Sequence, residues 1–464
     1  MKGLFLGGAA AFIFVATAAA ADLPRAMPMK APAALPTYDW NGLYIGGYWG
    51  AAVSQANARS GTFSPQTETH VDHAGWTAGG QIGYNWQWVP TWMIGLEADL
   101  GYLAIDRTFA DWNEFSVVGV KSTWLGTVRG RVGYVTGPSV LYATAGVAFV
   151  HIEDTFGGSL TAGIAPVTQS TTKTGFAGGA GIETKLSQNW STKTEYLYVN
   201  VGDVAVTSNP FGVPDATTFQ HSFHMFKSGL NYRFGGPSEP LPFFDFNGAL
   251  LGPARQWSGL YVGGNIGGAL SLTRIGGGRP DIVPARLGET DLNGASFAGG
   301  AQIGYNLMFG PKFFVGVEGD IGYLGLDDTQ HNFNDNFVFS QTTDWYGTIR
   351  GRLGSTTGPA LLYLTGGAAF VHTKDSFRFA AGTPTIIDET TKTLAGWTFG
   401  GGTEVALDAR WSAKLEYLYV DVGTQDHNVP AITTTFANFD HRFQLVRAGL
   451  NYRFGGDDIV STRY

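Results

Sequence analysis

The chain has 464 residues, a formal net charge of −8 and only 14% charged residues, against about 25% in an ordinary soluble domain. It contains no cysteine, so disulfide staples and thiolate chemistry are excluded, and its mild acidity offers no basic patch for nucleic acid. Glycine (67 residues) and aromatics (14%) are abundant, while a mean hydropathy of −0.00 is too low for a helical membrane bundle.

Taken in chain order, Met1 and Lys2 form a short basic start, and residues 3–20 are small and apolar. Small residues at 18–21 supply cleavage positions, so residues 1–21 read as a signal peptide for export. The competing reading is a retained N-terminal anchor helix. Residues 22–37 (DLPRAMPMKAPAALPT) are rich in Pro and Ala and read as an extended periplasmic tether. No other stretch reaches the roughly 18 apolar residues of a spanning helix.

The rest of the chain is written twice. Residues 40–47 (WNGLYIGG) match 257–264 (WSGLYVGG), 126–131 (GTVRGR) match 347–352 (GTIRGR), and 193–199 (KTEYLYV) match 414–420 (KLEYLYV). The ending GLNYRFGG occurs at 229–236 and again at 449–456. Over most of the length equivalent residues stand 221 apart, as Arg129 and Arg350 do. Repeats of about 200 residues are domains and not solenoid units. The expected organisation is a first module at 38–236, a periplasmic linker at 237–256, a second module at 257–456 and a tail at 457–464.

Within each module the pattern has period two. In 92–102 (WMIGLEADLGY), Trp92, Ile94, Leu96, Leu100 and Tyr102 share one face, and Glu97 and Asp99 the other. A strand separates these sets and a helix scrambles them. Eight such segments recur in the first module, near 42–53, 76–87, 92–105, 121–135, 140–153, 173–186, 190–202 and 222–234. Tight turns alternate with long polar gaps near 54–75, 106–120, 154–172 and 203–221. Trp76, Trp86, Trp92, Tyr102, Trp124, Tyr134 and Trp190 mark segment ends. This rhythm predicts an all-β fold, an antiparallel up-and-down transmembrane barrel with aromatic girdles and strands of about 9–11 residues across the apolar zone. A soluble sandwich alternates too, but predicts neither girdles nor the short/long rhythm.

These motifs together resemble the Omp25/Omp31 type of outer-membrane β-barrel (porin family) proteins of alphaproteobacteria, once per module. The resemblance implies an eight-stranded barrel in the Gram-negative cell envelope and a role as porin or surface antigen. Its members usually hold one barrel and end at the final Phe, whereas this chain has two modules and eight residues after Gly456. The closing strands also resemble the sorting signal read by the barrel assembly machinery, carried here by Gly229, Tyr232 and Phe234 and by Gly449, Tyr452 and Phe454.

With apolar faces toward lipid, the lumen receives Glu97, Asp99, Arg129, Arg131, Glu183, Lys193, Glu195, Lys227 and Arg233, and in the second module Glu318, Asp320, Arg350, Arg352, Glu404, Lys414, Glu416, Arg447 and Arg453. Arg or Lys facing lipid at the midplane costs about 2–4 kcal/mol, which excludes the opposite orientation. A barrel of eight strands is just wide enough for side chains to fill it, so these sets predict a salt-bridged plug; a selectivity filter is the competing reading. A catalytic site is not indicated: His151 and His372 are equivalent, but no serine recurs beside them and no GxSxG is present. His224 and His441 sit in different registers, so no metal site is predicted, and no cofactor is implied.

Two architectures fit the duplication: two tandem eight-stranded barrels, or one sixteen-stranded barrel of the size that holds an aqueous channel. The connection of 22 residues with four prolines at 235–256 exceeds a tight turn and favours two barrels. The expectation is a non-enzymatic outer-membrane protein with a structural or surface-interaction role, at most narrow passive permeation, and long loops available to surface ligands. The rivals are a sixteen-stranded diffusion porin and, remotely, a lipid-modifying enzyme.

Overall fold

The computed structural model describes residues 38–60, 68–110, 116–158, 163–208, 215–235, 256–279, 286–331, 337–379, 385–429 and 435–454. The signal peptide, the tether to residue 37, nearly all of the linker and the tail lie outside them.

Strands account for almost all of these residues. In the first module they are β1 (Gly42–Ser60), β2 (Glu68–Val89), β3 (Trp92–Ala110), β4 (Val117–Thr136), β5 (Ser139–Gly157), β6 (Val167–Lys185), β7 (Trp190–Ser208) and β8 (Asp215–Arg233). Each pairs antiparallel with the next, and β1 pairs with β8 from Tyr44↔Arg233 to Ser60↔Thr217, which closes an eight-membered ring. The second module repeats this with β9 (Gly259–Ser271), β10 (Thr273–Arg279), β11 (Arg286–Leu292), β12 (Ala295–Phe309), β13 (Phe313–His331), β14 (Phe337–Thr356), β15 (Ala360–Phe379), β16 (Thr385–Ala406), β17 (Trp411–Val429) and β18 (Thr435–Arg453). Here β9 and β10 are one strand interrupted at Leu272, and β11 and β12 one strand interrupted at Asn293 and Gly294. The ring closes where β18 pairs with β9 and β10. Two separate closures exclude a single sixteen-stranded barrel.

The strands run 19–22 residues where they are unbroken in the first module, about twice the length needed to cross the apolar zone. The segments read as long polar gaps are therefore largely strand among the described residues. Each strand changes character along its length. On β3, the outward residues Leu96 (54% exposed) and Leu100 (62%) form part of an apolar band, with inward Glu97 buried. Farther out the sense inverts. On β5, Ala148, Val150, Ile152 and Phe156 point inward and are fully buried, while His151, Glu153 and Thr155 face out. An apolar exterior suits lipid and a polar exterior suits water, so the switch marks where the strands leave the membrane. Aromatic pairs stand at this level, Trp76 against Tyr102 and Trp397 against Tyr419, and at the opposite end, Trp92 against Tyr134 and Trp411 against Tyr452.

Register shifts cluster just beyond the outer girdle, between Tyr102 and Ile105, Ser122 and Leu125, and Asn200 and Gly202, and at equivalent places in the second barrel. Gly202 (φ 70°) and Gly423 (φ 76°) supply the left-handed residue that such a bulge requires. Above these points β2 no longer pairs with β3, nor β6 with β7.

Inward glycines serve a different purpose. A Cβ on Gly83 would lie 2.3 Å from Tyr44 Oη, and one on Gly181 would lie 2.4 Å from Tyr142 Oη. Gly304 and Gly402 stand likewise against Tyr261 and Tyr363. Glycine thus opens a slot in which each tyrosine ring lies flat across the wall. Gly83→Val is expected to evict the Tyr44 ring and to lower the temperature at which the first barrel loses its compact, fast-migrating form on gels.

Candidate functional site in the barrel interiors

The lower interior of each barrel holds the charges named from the sequence. Arg129 is fully buried on β4, with Nη2 2.8 Å from Glu97 Oε1 and 2.7 Å from Asp99 Oδ2, and Nη1 3.0 Å from Glu195 Oε1. Its Nε donates to Thr127 Oγ1 at 2.8 Å. One turn of the pleat below, Arg131 reaches Glu183 at 2.6 Å and donates to Tyr44 Oη at 3.0 Å. Lys193 donates to both Glu97 oxygens at 2.8 Å and to Gln81 Oε1 at 2.6 Å. Lys227 lies 3.4 Å from Asp99 and 3.3 Å from Glu195. Four cations thus meet four carboxylates, all nearly devoid of solvent contact.

The second barrel repeats the arrangement. Arg350 contacts Glu318, Asp320 at 2.8 Å and Glu416 at 3.0 Å. Arg352 reaches Glu404 at 2.9 Å, Lys414 reaches Glu318 at 3.0 Å, and Arg447 bridges Asp320 at 3.2 Å and Glu416 at 2.5 Å.

Two of the expected lumen cations are placed elsewhere. Arg233 sits at the barrel mouth, its guanidinium donating to the backbone oxygens of Asp39, Asn41 and Gln188, and Arg453 donates to Ala409 O. Both come at the last inward position of the closing strand, below the network, where the loop carbonyls of the mouth replace carboxylates as acceptors. On the outer face of that strand Tyr232 packs edge-on against Phe234 (centroids 5.4 Å apart) and against Trp190 (5.1 Å); Tyr452 repeats this with Phe454 and Trp411. Gly229 and Gly449 face inward opposite Lys193 and Lys414.

Sequence reasoning missed the neutral members of the network. Tyr44 Oη donates to Glu97 at 2.7 Å, Tyr142 Oη to Glu195 at 2.9 Å, and Ser191 and Asn231 both donate to Glu183. The signal was present, since these residues share the inward parity of the charges. It also missed the upper interior. Above the network the lumen is closed by Leu103, Ile105, Val118, Val120, Val150, Ile152, Leu197, Val199, Phe219, Phe223 and Met225, all within one buried cluster. On β8 the inward series passes from Phe219 and Phe223 through Met225 directly to Lys227.

One polar pair is embedded in that apolar zone. His221 Nε2 lies 3.0 Å from Asp154 Oδ2, and at the equivalent place His441 Nε2 lies 3.0 Å from Asp375 Oδ2. The imidazole of His221 is stacked between the rings of Phe219 and Phe223. The recurrent histidine of the last strand is therefore His221 with His441, and not His224, which accepts from or donates to Tyr196 Oη at 2.8 Å.

The outer histidines do not form a catalytic array. His151 stacks on Trp124 and His372 on Trp345 at the girdle. Ser170 (3.4 Å) and Glu153 (3.7 Å) both approach the same nitrogen, Nε2, of His151, so no serine–imidazole–carboxylate relay exists there. The second barrel carries Thr391 and Lys374 at those positions. No group of three or more His, Asp or Glu residues that could hold a metal ion occurs among the described residues.

Two closed rings, an apolar outer band with aromatic borders and a charge-filled interior define a tandem transmembrane β-barrel protein. The chain belongs to the outer membrane protein beta-barrel domain family, whose model matches residues 8–234 and again 248–454. A 31 kDa outer-membrane immunogenic protein of Brucella melitensis is 32% identical over 205 residues, 43% of this chain and 84% of the relative. A 25 kDa outer-membrane immunogenic protein of the same organism is 32% identical over 245 residues, 50% of this chain and 99% of the relative. A 22 kDa outer membrane protein of Rhizobium leguminosarum is 33% identical over 167 residues, 36% of this chain and 66% of the relative. The chain is thus an outer-membrane protein of the Omp25/Omp31 type in tandem duplication. Solved barrels also align, among them Ail of Yersinia pestis, over 41% of this chain and 99% of that chain at 13% identity and a TM-score of 0.23.

Proposed function

We propose that the chain is a non-conducting, non-enzymatic outer-membrane protein that acts structurally and through the strands and loops it projects beyond the outer girdle. The observation that carries this reading is the filled interior. The paired charge layer blocks the lower half of each lumen and the apolar layer blocks the upper half, and a solute must displace both. The likeness to outer-membrane proteins named as immunogenic supports an exposed role for the outer extensions. Surface ligands would meet those extensions and the loops they carry, whose tips lie outside the described residues. Outer-membrane lipid covers the apolar band. The closing strands, Gly229 to Phe234 and Gly449 to Phe454, would each be read by the barrel assembly machinery, so that each barrel is folded as a unit.

The test is a planar-bilayer recording of the refolded full chain. Silence, or rare steps far below those of an open diffusion channel, is the expected result; large ohmic steps would overturn the reading.

A further inference from the structure

The two barrels touch along faces that are the same in both. Outward residues that should meet lipid are instead buried on β6 and β7 of the first barrel and on β15 and β16 of the second: Ile182, Thr184, Thr194, Ala360, Val405 and Thr403. Thr194 Oγ1 lies 2.8 Å from Thr403 Oγ1. The 221-residue offset maps Thr194 onto Leu415 and Thr403 onto Ile182, and Ile182 and Leu415 share one buried cluster. The contact and its mirror image are both present. Phe226 stacks on Tyr417 at 5.4 Å, and their counterparts by strand register, Val446 and Tyr196, lie in the same zone. Such reciprocity is the mark of a two-fold interface.

The outer extensions carry a second contact with the same symmetry. His70 on β2 is the strand partner of Asp291 on β11, and the two are equivalent residues, 221 apart. So are Asp72 and Asn293, which share a hydrogen bond of 3.0 Å. Across this axis Arg107 reaches Asp291 at 3.2 Å and Glu289 at 2.6 Å. The mirror contact is Asp328 with His70, at 3.6 Å. Arg107 and Asp328 are equivalent positions with opposite charge, and an imidazole at His70 stands where the second barrel has the carboxylate of Asp291.

We propose that the two barrels of one chain dock as a fixed pseudo-symmetric pair, and that this exchange of charge across the axis selects one barrel of each kind over two of the same kind. Two second barrels would set Asp328 against Asp291 and Glu289. Two first barrels would set Arg107 against His70 and Glu68, the equivalents of Asp291 and Glu289, and would set Asp72 against Asp72 in place of Asn293, so there the facing carboxylates are what discriminate. Burial raises the carboxyls of Asp72 and Asp291 above the ordinary range, so a further anion in either place is costly. Like charges across an interface discriminate against wrong partners more than correct charges add affinity. The result is a chain that satisfies its own docking face and leaves no sticky barrel for its neighbours.

The test uses the full chain in outer membranes. The protein has no cysteine, so Thr194→Cys with Thr403→Cys introduces one defined pair. Mild oxidation is expected to give an intrachain disulfide in most molecules, with no ladder of linked chains. Adding Arg107→Asp is expected to slow that cross-link about fivefold, and adding Asp291→Arg with it to restore the rate. Heat-modifiability on gels checks that both barrels remain folded in every variant. Cross-links mainly between chains, a rate unchanged by Arg107→Asp, or a charge-exchanged variant no faster than Arg107→Asp alone would each overturn the proposal.

Discussion

Arg129→Met is expected to destabilise the first barrel by about 3–5 kcal/mol, the range for removing one member of a buried ion pair. Arg129 is the one cation in contact with Glu97, Asp99 and Glu195 together. Its loss leaves four buried carboxylates to three cations. Methionine preserves the volume, so the loss reports charge and not a cavity. Unfolding followed by the gel shift between compact and extended forms reads the effect. Arg233→Met serves as the control: its side chain is partly exposed at the mouth and bonds loop carbonyls, and the expected change is below about 1 kcal/mol. Adding Glu195→Gln to Arg129→Met removes one surplus anion and is expected to recover part of the loss. Bilayer conductance stays near that of the parent in all of these, because the apolar layer above the network is untouched. A large conductance with unchanged melting would show that the charges serve as a filter instead.

The barrel was legible in the sequence where the membrane imposes its own alternation. Trp92, Ile94, Leu96 and Leu100 announce the outward face of β3, and Glu97 and Asp99 follow as the lumen without any knowledge of the fold. The same rule failed beyond the girdle. In β6, residues 168–174 (TQSTTKT) are polar on both parities, so period two leaves no trace and the segment reads as a loop. In β5 the apolar residues continue on the other parity, which a search for lipid-facing residues passes over. Gly202 and Gly423 compound this, because each bulge shifts the parity by one. The docking face was hidden for a related reason. Thr192 and Thr194 fall at lipid-facing positions with weakly polar side chains, and only the presence of the second barrel explains them. His221 was passed over because His224 lies three residues away, and the equivalence with His441 emerges only when the offset of 220 in the last strand is used.

His221→Leu is expected to cost the first barrel stability that depends on pH. Among the described residues the imidazole is the one basic partner within 4 Å of Asp154, at 3.0 Å, in the apolar zone beyond the outer girdle. Burial raises the Asp154 carboxyl above its ordinary value, and the hydrogen bond from His221 opposes that rise. Without the histidine the carboxyl climbs further. A group whose folded-state pKa is raised contributes its stability in full below the unfolded value, about 3.9 for Asp, and loses it as pH rises through the folded value. The penalty of His221→Leu is therefore smallest in acid, where Asp154 is protonated in both states, and grows toward neutrality, reaching about 3 kcal/mol when the carboxylate is forced to ionise alone. Melting followed at pH 4.5 and pH 8 checks the sign: the variant should approach the parent at the lower pH. The double replacement His221→Leu with Asp154→Leu removes the whole polar pair from the Phe219, Phe223 and Phe156 surroundings. It is expected to be near neutral or stabilising at both pH values, since an apolar pair of similar volume replaces a desolvated polar one. A penalty that is flat with pH, or a double variant as weak as the single, would place the contribution of His221 in packing between the two phenyl rings and not in its bond to Asp154.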